Sequence, residues 1–158
     1  MAHMNNSRGA VLLLLVFAFS SMAFAQPAAP VATAASGIQS NAFTANWNAS
    51  AGANKYYLDV ATDASFLSIV PGYDSLNVGN VTTKSVTGLS SATLYYYRVY
   101  AGNDTSSSTA SNTVPVLTLP GTPTAIGPTG VTTAGFTARW NSVTGASSYK
   151  LDVATDST

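Results

Sequence analysis

Apolar and polar residues alternate over short stretches of the chain. In "AFTANWN", residues 42–48, Phe43, Ala45 and Trp47 share one face, and the intervening polar residues share the other. The stretch "LYYYRVYA", residues 94–101, shows the same alternation. A period of two is typical of half-buried β-strands. The inward positions predict a core of ten residues: Phe43, Trp47, Tyr56, Leu58, Val60, Val86, Leu89, Tyr95, Tyr97 and Val99.

The segments between these stretches have the composition of turns. "SAGAN", "PGYDS" and "GNDTSSS" are rich in Gly, Pro, Asn, Asp and Ser, which turns select for their backbone geometry and local hydrogen bonds. Helix signals are missing throughout the sequence. The pattern therefore predicts an all-β protein.

The chain contains an internal repeat. "YYLDVATD", residues 56–63, returns as "YKLDVATD" at residues 149–156, an offset of 93. The ungapped match extends over residues 36–65 and 129–158, where 15 of 30 positions are identical. Solenoid repeats are shorter, roughly 20–50 residues, so this period indicates duplication of a complete small domain.

The first 25 residues have the layout of a secretory signal peptide. Arg8 lies in a short polar lead, an apolar run covers residues 10–19, and the small residues Ala23 and Ala25 precede the predicted cleavage site. The run is well short of the roughly 20 residues that span a bilayer, which favours cleavage after Ala25 over the alternative of a retained membrane anchor. We therefore expect export and no stable membrane span after cleavage. Residues 1–3 resemble a cloning remnant and include the only histidine, His3.

Charge and composition exclude several functions. From Gln26 onward the chain has two arginines, three lysines and six aspartates, a formal charge of −1, and the cations are scattered. Nucleic-acid binders carry a clustered basic face instead. The absence of cysteine, and of histidine after His3, excludes disulfides, thiolate or imidazole zinc sites and Ser-His-Asp triads. We expect no enzyme activity, no cofactor and no nucleic-acid partner.

Several segments resemble a fibronectin type III domain. They are Trp47, Tyr56 and "VTGLSSATLYYYRVYAGN", residues 86–103, in which Leu89 and Tyr95 match a leucine before a loop and a tyrosine that opens the sixth strand. The resemblance implies an immunoglobulin-like (fibronectin type III) β-sandwich, with Tyr95 forming the tyrosine corner. The variant "LDVATDASF…GYDSLNVGN" is similar to modules of large secreted bacterial proteins.

The resemblance also implies a domain organisation. We expect a linker at residues 26–29, one complete seven-stranded module at residues 30–119, and the first three strands of a truncated second module at residues 120–158. Pro115 suggests an edge or a bulge in the last strand of the module, and Pro120 and Pro123 predict a stiff joint. The second piece is too small to fold unaided and has open strand edges. The chain is therefore expected to be a fragment, or to self-associate with strands supplied by another chain.

Three tyrosines are predicted to point away from the core. Tyr96 and Tyr100 lie on the sixth strand and Tyr57 on the third, its neighbour in this fold. Amphipathic aromatic residues are common at interfaces, so these tyrosines are a candidate interaction surface for a sugar ring or a partner protein. The alternative is cross-strand pairing that stabilises the sheet. Lys150 replaces Tyr57 in the second copy.

The aspartates are weak candidates for a metal site. Asp59 and Asp63 lie on one strand face, Asp74 follows in a loop, and the pair recurs as Asp152 and Asp156. Strand residues four apart are separated by roughly 13 Å, too far for a shared metal or for paired acid–base chemistry. Calcium needs six to eight oxygen ligands, so we predict no metal site. Asp63 and Asp156 instead are expected to cap the turn after the strand.

Three Asn-x-Ser/Thr patterns, at Asn48, Asn80 and Asn103, fit the acceptor motif for N-glycosylation. The abundance of Ser, Thr and Asn explains them equally well, and a bacterial protein would leave them unmodified.

The leading functional hypothesis is a non-catalytic extracellular module of a longer secreted or cell-surface repeat protein, serving as a spacer or adhesion unit. A second hypothesis places the modules ahead of the catalytic domain of a secreted glycosidase or protease. In a third, the chain is a fibre subunit completed by strand exchange. The fold itself does not choose among them.

Overall fold

The computed structural model of the protein describes residues 25–155, so the predicted signal peptide (apart from Ala25) and Asp156 lie outside the described residues. The strands are short, as the alternating stretches predict. Their bounds are β1 Ala32–Ser36, β2 Ala42–Trp47, β3 Lys55–Ala61, β4 Leu76–Gly79, β5 Thr83–Thr87, β6 Leu94–Gly102, β7 Val114–Leu117, β8 Ala125–Thr129 and β9 Thr137–Trp140.

Strands β1–β7 form two antiparallel sheets. One has the order β1-β2-β5 and the other β4-β3-β6-β7. The two sheets enclose a common core, which makes residues 32–117 a β-sandwich. Residues 25–155 include no helix of the length and hydrophobicity required to cross a membrane. The all-β prediction is confirmed.

The core lies between the two sheets and is dominated by aromatic rings. Phe43 of β2 packs against Tyr97 of β6 with ring centroids 5.8 Å apart, and Trp47 packs against Tyr56 at 5.9 Å. These are favourable distances for tilted aromatic pairs. All ten residues of the predicted core belong to this buried cluster, and the structure adds Ala32, Ala45, Ala101 and Val116.

Polar side chains connect the two sheets at the side where β1 approaches β6 and β7. The Tyr97 hydroxyl donates to the Thr33 carbonyl, and it accepts from the Asn46 N–H at 3.3 Å. The Asn112 amide bonds both backbone groups of Ala32, each at 3.0 Å. Burial raises the pKa of Tyr97, so its hydroxyl stays protonated and able to donate.

Three tyrosine hydroxyls accept hydrogen bonds from nearby turns. The Ser90 N–H donates to Tyr95 at 2.9 Å, which is the tyrosine corner that the resemblance implied. The Ser50 N–H donates to Tyr56 at 2.8 Å, and at the corresponding place in the second copy the Val143 N–H donates to Tyr149 at 2.7 Å. The repeated sequence thus forms the same turn-to-tyrosine bond twice.

Pro115 lies in β7, which is an edge strand of the four-stranded sheet. Proline has no N–H to donate to a ladder, so it is tolerated at an edge. Of the two alternatives that Pro115 suggested, an edge or a bulge, the structure shows the edge.

The second copy forms a two-stranded sheet. β8 pairs antiparallel with β9 in the register that β1 has with β2. A third strand was expected by analogy with β3, but residues 149–153 form none. In the first copy β3 is held between β4 and β6, whereas no strand among the described residues pairs with residues 149–153. A strand needs such a partner for its backbone hydrogen bonds.

Residues 26–29, expected to be a linker, lie against the first module. The Gln26 side chain donates to the Ser107 carbonyl at 2.5 Å, and the Ser50 hydroxyl donates to the Ala28 carbonyl at 2.6 Å. Pro27 between them is buried. This segment is therefore packed against the loops at one end of the sandwich.

Candidate functional site

The outer face of the four-stranded sheet carries the outward tyrosines. In the β3–β6 ladder Tyr57 lies opposite Tyr100, and Asp59 lies opposite Arg98. Residues directly opposite each other in an antiparallel pair share a face. These four side chains therefore occupy neighbouring positions on the outer surface of the two central strands.

Only two of the three predicted tyrosines come together. Tyr96 lies opposite Ala61 and Pro115, four residues along β6 from Tyr100. That spacing is roughly 13 Å in a strand, and Arg98 lies between the two. The predicted surface of Tyr57, Tyr96 and Tyr100 is therefore corrected to a pair, Tyr57 and Tyr100, because the outward position between Tyr96 and Tyr100 is occupied by an ion pair.

Tyr57 and Tyr100 line a shallow cleft of about 210 Å³ together with Ser75 and Ser107. The Tyr57 ring lies over Gly102, where a Cβ atom would be 3.0 Å from the tyrosine Cε2 atom. A side chain at position 102 would push this ring away. The glycine therefore lets the ring lie against the sheet.

Asp59 lies beside this cleft, two residues along β3 from Tyr57, and only 3% of its surface is exposed. Its Oδ2 atom accepts from Arg98 Nε at 2.9 Å and from the Tyr100 hydroxyl at 3.1 Å. Its Oδ1 atom accepts from the Ser75 N–H at 2.7 Å. Ser75 has a φ of 48°, a left-handed conformation that is costly for a non-glycine residue, and the bond to Asp59 offsets that cost.

The 62–75 loop covers the ion pair. Phe66 is buried on the outer face, and the Arg98 guanidinium carbon lies 4.0 Å from the centre of its ring. Such a cation–π contact shields the charges from water. Phe66 and Ser107 could not be predicted from the sequence pattern, because both lie in loops that have no periodicity.

Tyr100 is held in its protonated form. Burial, followed by the negative charge of Asp59, raises the pKa of Tyr100, and Arg98 opposes these effects. A protonated hydroxyl can donate a hydrogen bond to Asp59, and this bond fixes the orientation of the Tyr100 ring.

Asp63 has a different role from Asp59. Its carboxylate accepts from the backbone N–H groups of Ser65, Leu67 and Ser68 at 2.9, 3.2 and 2.6 Å. The bond from Ser68 is the main cause that lowers the pKa of Asp63. The predicted turn cap is confirmed at Asp63, and its counterpart Asp156 lies outside the described residues. Residues 25–155 contain no cluster of three or more potential metal ligands.

The three glycosylation motifs occupy unlike positions. Asn48 and Asn80 are exposed, whereas Asn103 is half-buried. Asn103 Oδ1 accepts from the N–H groups of Thr105 and Ser106, and its Nδ2 donates to the Ala25 carbonyl. The side chain of Asn103 is therefore part of its loop.

Two positions at and beside the cleft have different surroundings in the second copy. Lys150 occupies the place of Tyr57 in the second copy, and its ammonium lies 3.6 Å from the carboxylate of Asp152, the counterpart of Asp59. Both of these side chains are more than 80% exposed. Lys150 therefore stands in place of one tyrosine of the pair, and Asp152 is exposed where Asp59 is buried.

Comparison with known proteins supports the fold and gives no sequence relative. No family model matches the chain, and no curated protein matches its sequence. The fibronectin type III domain of human fibronectin type III domain containing protein 3 superposes with a TM-score of 0.51 at 23% identity, over 64% of this chain and 94% of that one. A β-1,2-glucanase from Parabacteroides distasonis superposes with a TM-score of 0.51 at 19% identity, over 61% of this chain and 13% of the glucanase.

Identities of this size establish the fold and nothing further. The first module has the fibronectin type III arrangement of an immunoglobulin-like β-sandwich, and the predicted fold class is confirmed. Folds of this kind serve many functions, so function must be argued from the surface.

Proposed function

We propose that the chain is a non-catalytic extracellular part of a longer secreted or cell-surface repeat protein, acting as a spacer or adhesion unit. The proposal is supported by the fibronectin type III fold, by the duplicated sequence and by the predicted signal peptide. It is also supported by the roles of the acidic side chains on the sheet, since Asp59 and Asp63 are both engaged in structural hydrogen bonds.

The observation that carries the proposal is the direct contact between the first module and the second copy. Gly145, in the turn before residues 149–153, lies so close to Ala92 that an added Cβ would be 2.6 Å from the alanine Cβ. Gly121 in the joint lies near Ser91 and Val143. Pro120 and Pro123 restrict the backbone of the short joint, and the turn-to-turn contact supports a restricted angle between successive copies.

The matching turn of the first copy supplies a control. Gly52 corresponds to Gly145 and has nearly the same φ, 79° against 77°, but a Cβ there would meet nothing within 4 Å. Both Gly→Ala variants share the backbone strain, so only the contact with Ala92 distinguishes them. We expect Gly145→Ala to change the angle between the module and the second copy, and Gly52→Ala to leave it unchanged.

Residual dipolar couplings of the two variants measure this angle. A change confined to Gly145→Ala supports a fixed spacer. Equal couplings in both variants and the parent would show that the contact does not set the angle, and would overturn the spacer proposal.

Export is tested separately by mass spectrometry of the protein recovered outside the expressing cell. We expect a mature chain that begins at Gln26. Retention of the full-length chain inside the cell would contradict the extracellular assignment.

A second candidate function is an accessory module of a secreted glycosidase or protease. The region that superposes on the β-1,2-glucanase makes up 13% of that chain, so a region of this fold occurs within a longer glycosidase. The gene sequence downstream of Thr158 tests this function, since a following domain with paired carboxylates would supply the acid–base chemistry of a glycosidase.

A third candidate is a fibre subunit joined by strand exchange. Phe136, Trp140 and Leu151 expose 51%, 37% and 54% of their surfaces, and the corresponding residues of the first copy are buried by the facing sheet. A partner sheet from another chain would cover them. Light scattering that finds a monodisperse monomer at all concentrations would exclude this function.

A further inference from the structure

We propose that the cleft between Tyr57 and Tyr100 binds one neutral sugar ring of a glycan. This inference deepens the proposed function, because it supplies the ligand class through which an adhesion unit would act. It depends on the cleft geometry in the first module, and the spacer measurement above does not involve this cleft.

The cleft is organised before any ligand arrives. A single buried carboxylate, Asp59, bonds the Tyr100 hydroxyl on one side and the Ser75 N–H on the other. Gly102 gives Tyr57 room to lie against the sheet. The fold therefore holds the two tyrosine rings and Ser75 in place before a ligand binds. This preorganisation lowers the conformational entropy that is lost on binding.

The lining of the cleft suits an amphipathic, uncharged ligand. Tyrosine faces supply apolar contact, and the exposed Ser75 and Ser107 supply polar groups at the rim. Sugar rings have the same combination of apolar C–H faces and hydroxyl edges, and tyrosine is suited to surfaces that need both. Aromatic stacking combined with rim hydrogen bonds is therefore the expected mode of recognition.

Charge favours a neutral sugar over an acidic one. The charge of Asp59 is compensated by Arg98, and the four lining residues are uncharged. The four lining residues therefore offer no cation to a carboxylated sugar, and desolvating an unpaired carboxylate is unfavourable.

Size and position argue against a peptide. The cleft, at about 210 Å³, is smaller than the roughly 300–1,000 Å³ of most small-molecule sites, which fits a single ring. Its floor is formed by β3 and β6, the central strands of the sheet, whose backbone groups are already paired. Peptide binding by strand addition needs a free strand edge, and none is present under the cleft.

The test is an NMR titration of the ¹⁵N-labelled chain with neutral hexasaccharides of glucose, xylose and mannose. An acidic galacturonate oligomer and a proline-rich peptide serve as comparison ligands. We expect at least one neutral hexasaccharide to shift the amide signals of Tyr57 and Tyr100 in a saturable way. The galacturonate oligomer and the peptide are expected to leave these signals unchanged.

The variants follow from the repeat. Tyr57→Lys introduces the residue found at the same place in the second copy, and we expect the affinity to fall about tenfold, the loss of roughly one stacking contact. Tyr100→Phe keeps the ring but breaks its bond to Asp59, and we expect a smaller loss of about threefold. Tyr96→Ala, on the same strand but outside the cleft, is expected to bind as the parent does.

Dispersed amide spectra of each variant show that the fold is retained. The proposal is overturned if no neutral sugar shifts the cleft signals, if the acidic oligomer or the peptide binds there instead, or if Tyr96→Ala weakens binding as much as Tyr57→Lys. None of these outcomes affects the angle between the copies, so failure of the sugar site and failure of the spacer are distinguishable.

Discussion

At the scale of single residues, hydrogen bonds of tyrosine hydroxyls connect separate segments of the sandwich. Tyr95 anchors the turn before its own strand, and Tyr97 reaches across the core to the opposite sheet. The family resemblance predicted the first of these bonds, since it is formed within a local segment. The second could not be predicted, because its partners, Thr33 and Asn46, are brought to Tyr97 only when the two sheets pack.

We predict that Tyr95→Phe destabilises the module by about 1–3 kcal/mol, because the part-buried Ser90 N–H loses its acceptor. Tyr96→Phe, at the neighbouring outward position, is the control and is expected to change stability by less than about 0.5 kcal/mol. Urea denaturation of both variants measures the difference. Equal effects would show that the corner bond contributes nothing specific.

Asp63 makes stability depend on acid pH. Its pKa is lowered in the folded state by the Ser68 N–H bond and the bonds beside it, so its contribution is present above the ordinary value of 3.8 and is lost as pH falls through the folded value. We predict that Asp63→Asn lowers the urea midpoint at about pH 6 and that this difference shrinks by about pH 2. Asp152→Asn, at an exposed ion pair, is the control. A difference that is constant with pH would contradict the assigned role.

At the scale of strands, identical sequence has different consequences in different surroundings. Trp47 and Trp140 occupy equivalent positions in the repeat, yet their exposures are 3% and 37%. The alternating pattern predicted the inward face of both strands. The alternating pattern could not predict whether a second sheet covers that face, because the covering residues are distant in the sequence.

We predict that Trp47→Ala costs about 3–5 kcal/mol, since it removes a large buried ring from the core. Trp140→Ala should cost less than about 1 kcal/mol, because its ring is partly in solvent. Far-ultraviolet circular dichroism during denaturation follows both variants without relying on tryptophan. Comparable losses would mean that the two sheets are covered to the same extent.

The register of β3 against β6 determines the outer face of the sheet. Placing Tyr57 beside Tyr100 also places Asp59 opposite Arg98, two residues further along. The strand pattern alone places Asp59 with Asp63 on one face and predicts that Tyr96 belongs to the tyrosine surface. The 62–75 loop that buries Asp59 carries no periodic signal, so its course over the sheet was not predictable.

We predict that Arg98→Ala destabilises the module by about 3 kcal/mol, because Asp59 would remain buried without its cation. The double variant Asp59→Ala, Arg98→Ala should recover part of this loss, since the unpaired charge is removed with its partner. Chemical denaturation of the single and double variants completes the cycle. Additive losses would show that the two side chains do not interact energetically.

At the scale of the whole molecule, a closed sandwich is joined to an open strand pair. β1–β7 bury their apolar residues between two sheets, whereas β8 and β9 leave Ile126 and Trp140 exposed. The repeat predicted that the two parts share a sequence pattern. That residues 149–153 would form no strand follows from the lack of a pairing partner among the described residues.

Native-state hydrogen exchange followed by NMR tests the account most directly. We predict that the amides of Val60 and Val99, in the central strands of the closed sandwich, exchange only through global unfolding. The amides of Ile126 and Arg139, in the open β8–β9 pair, are predicted to exchange orders of magnitude faster. Uniform protection across both sets, or rapid exchange at Val60 and Val99, would contradict the account.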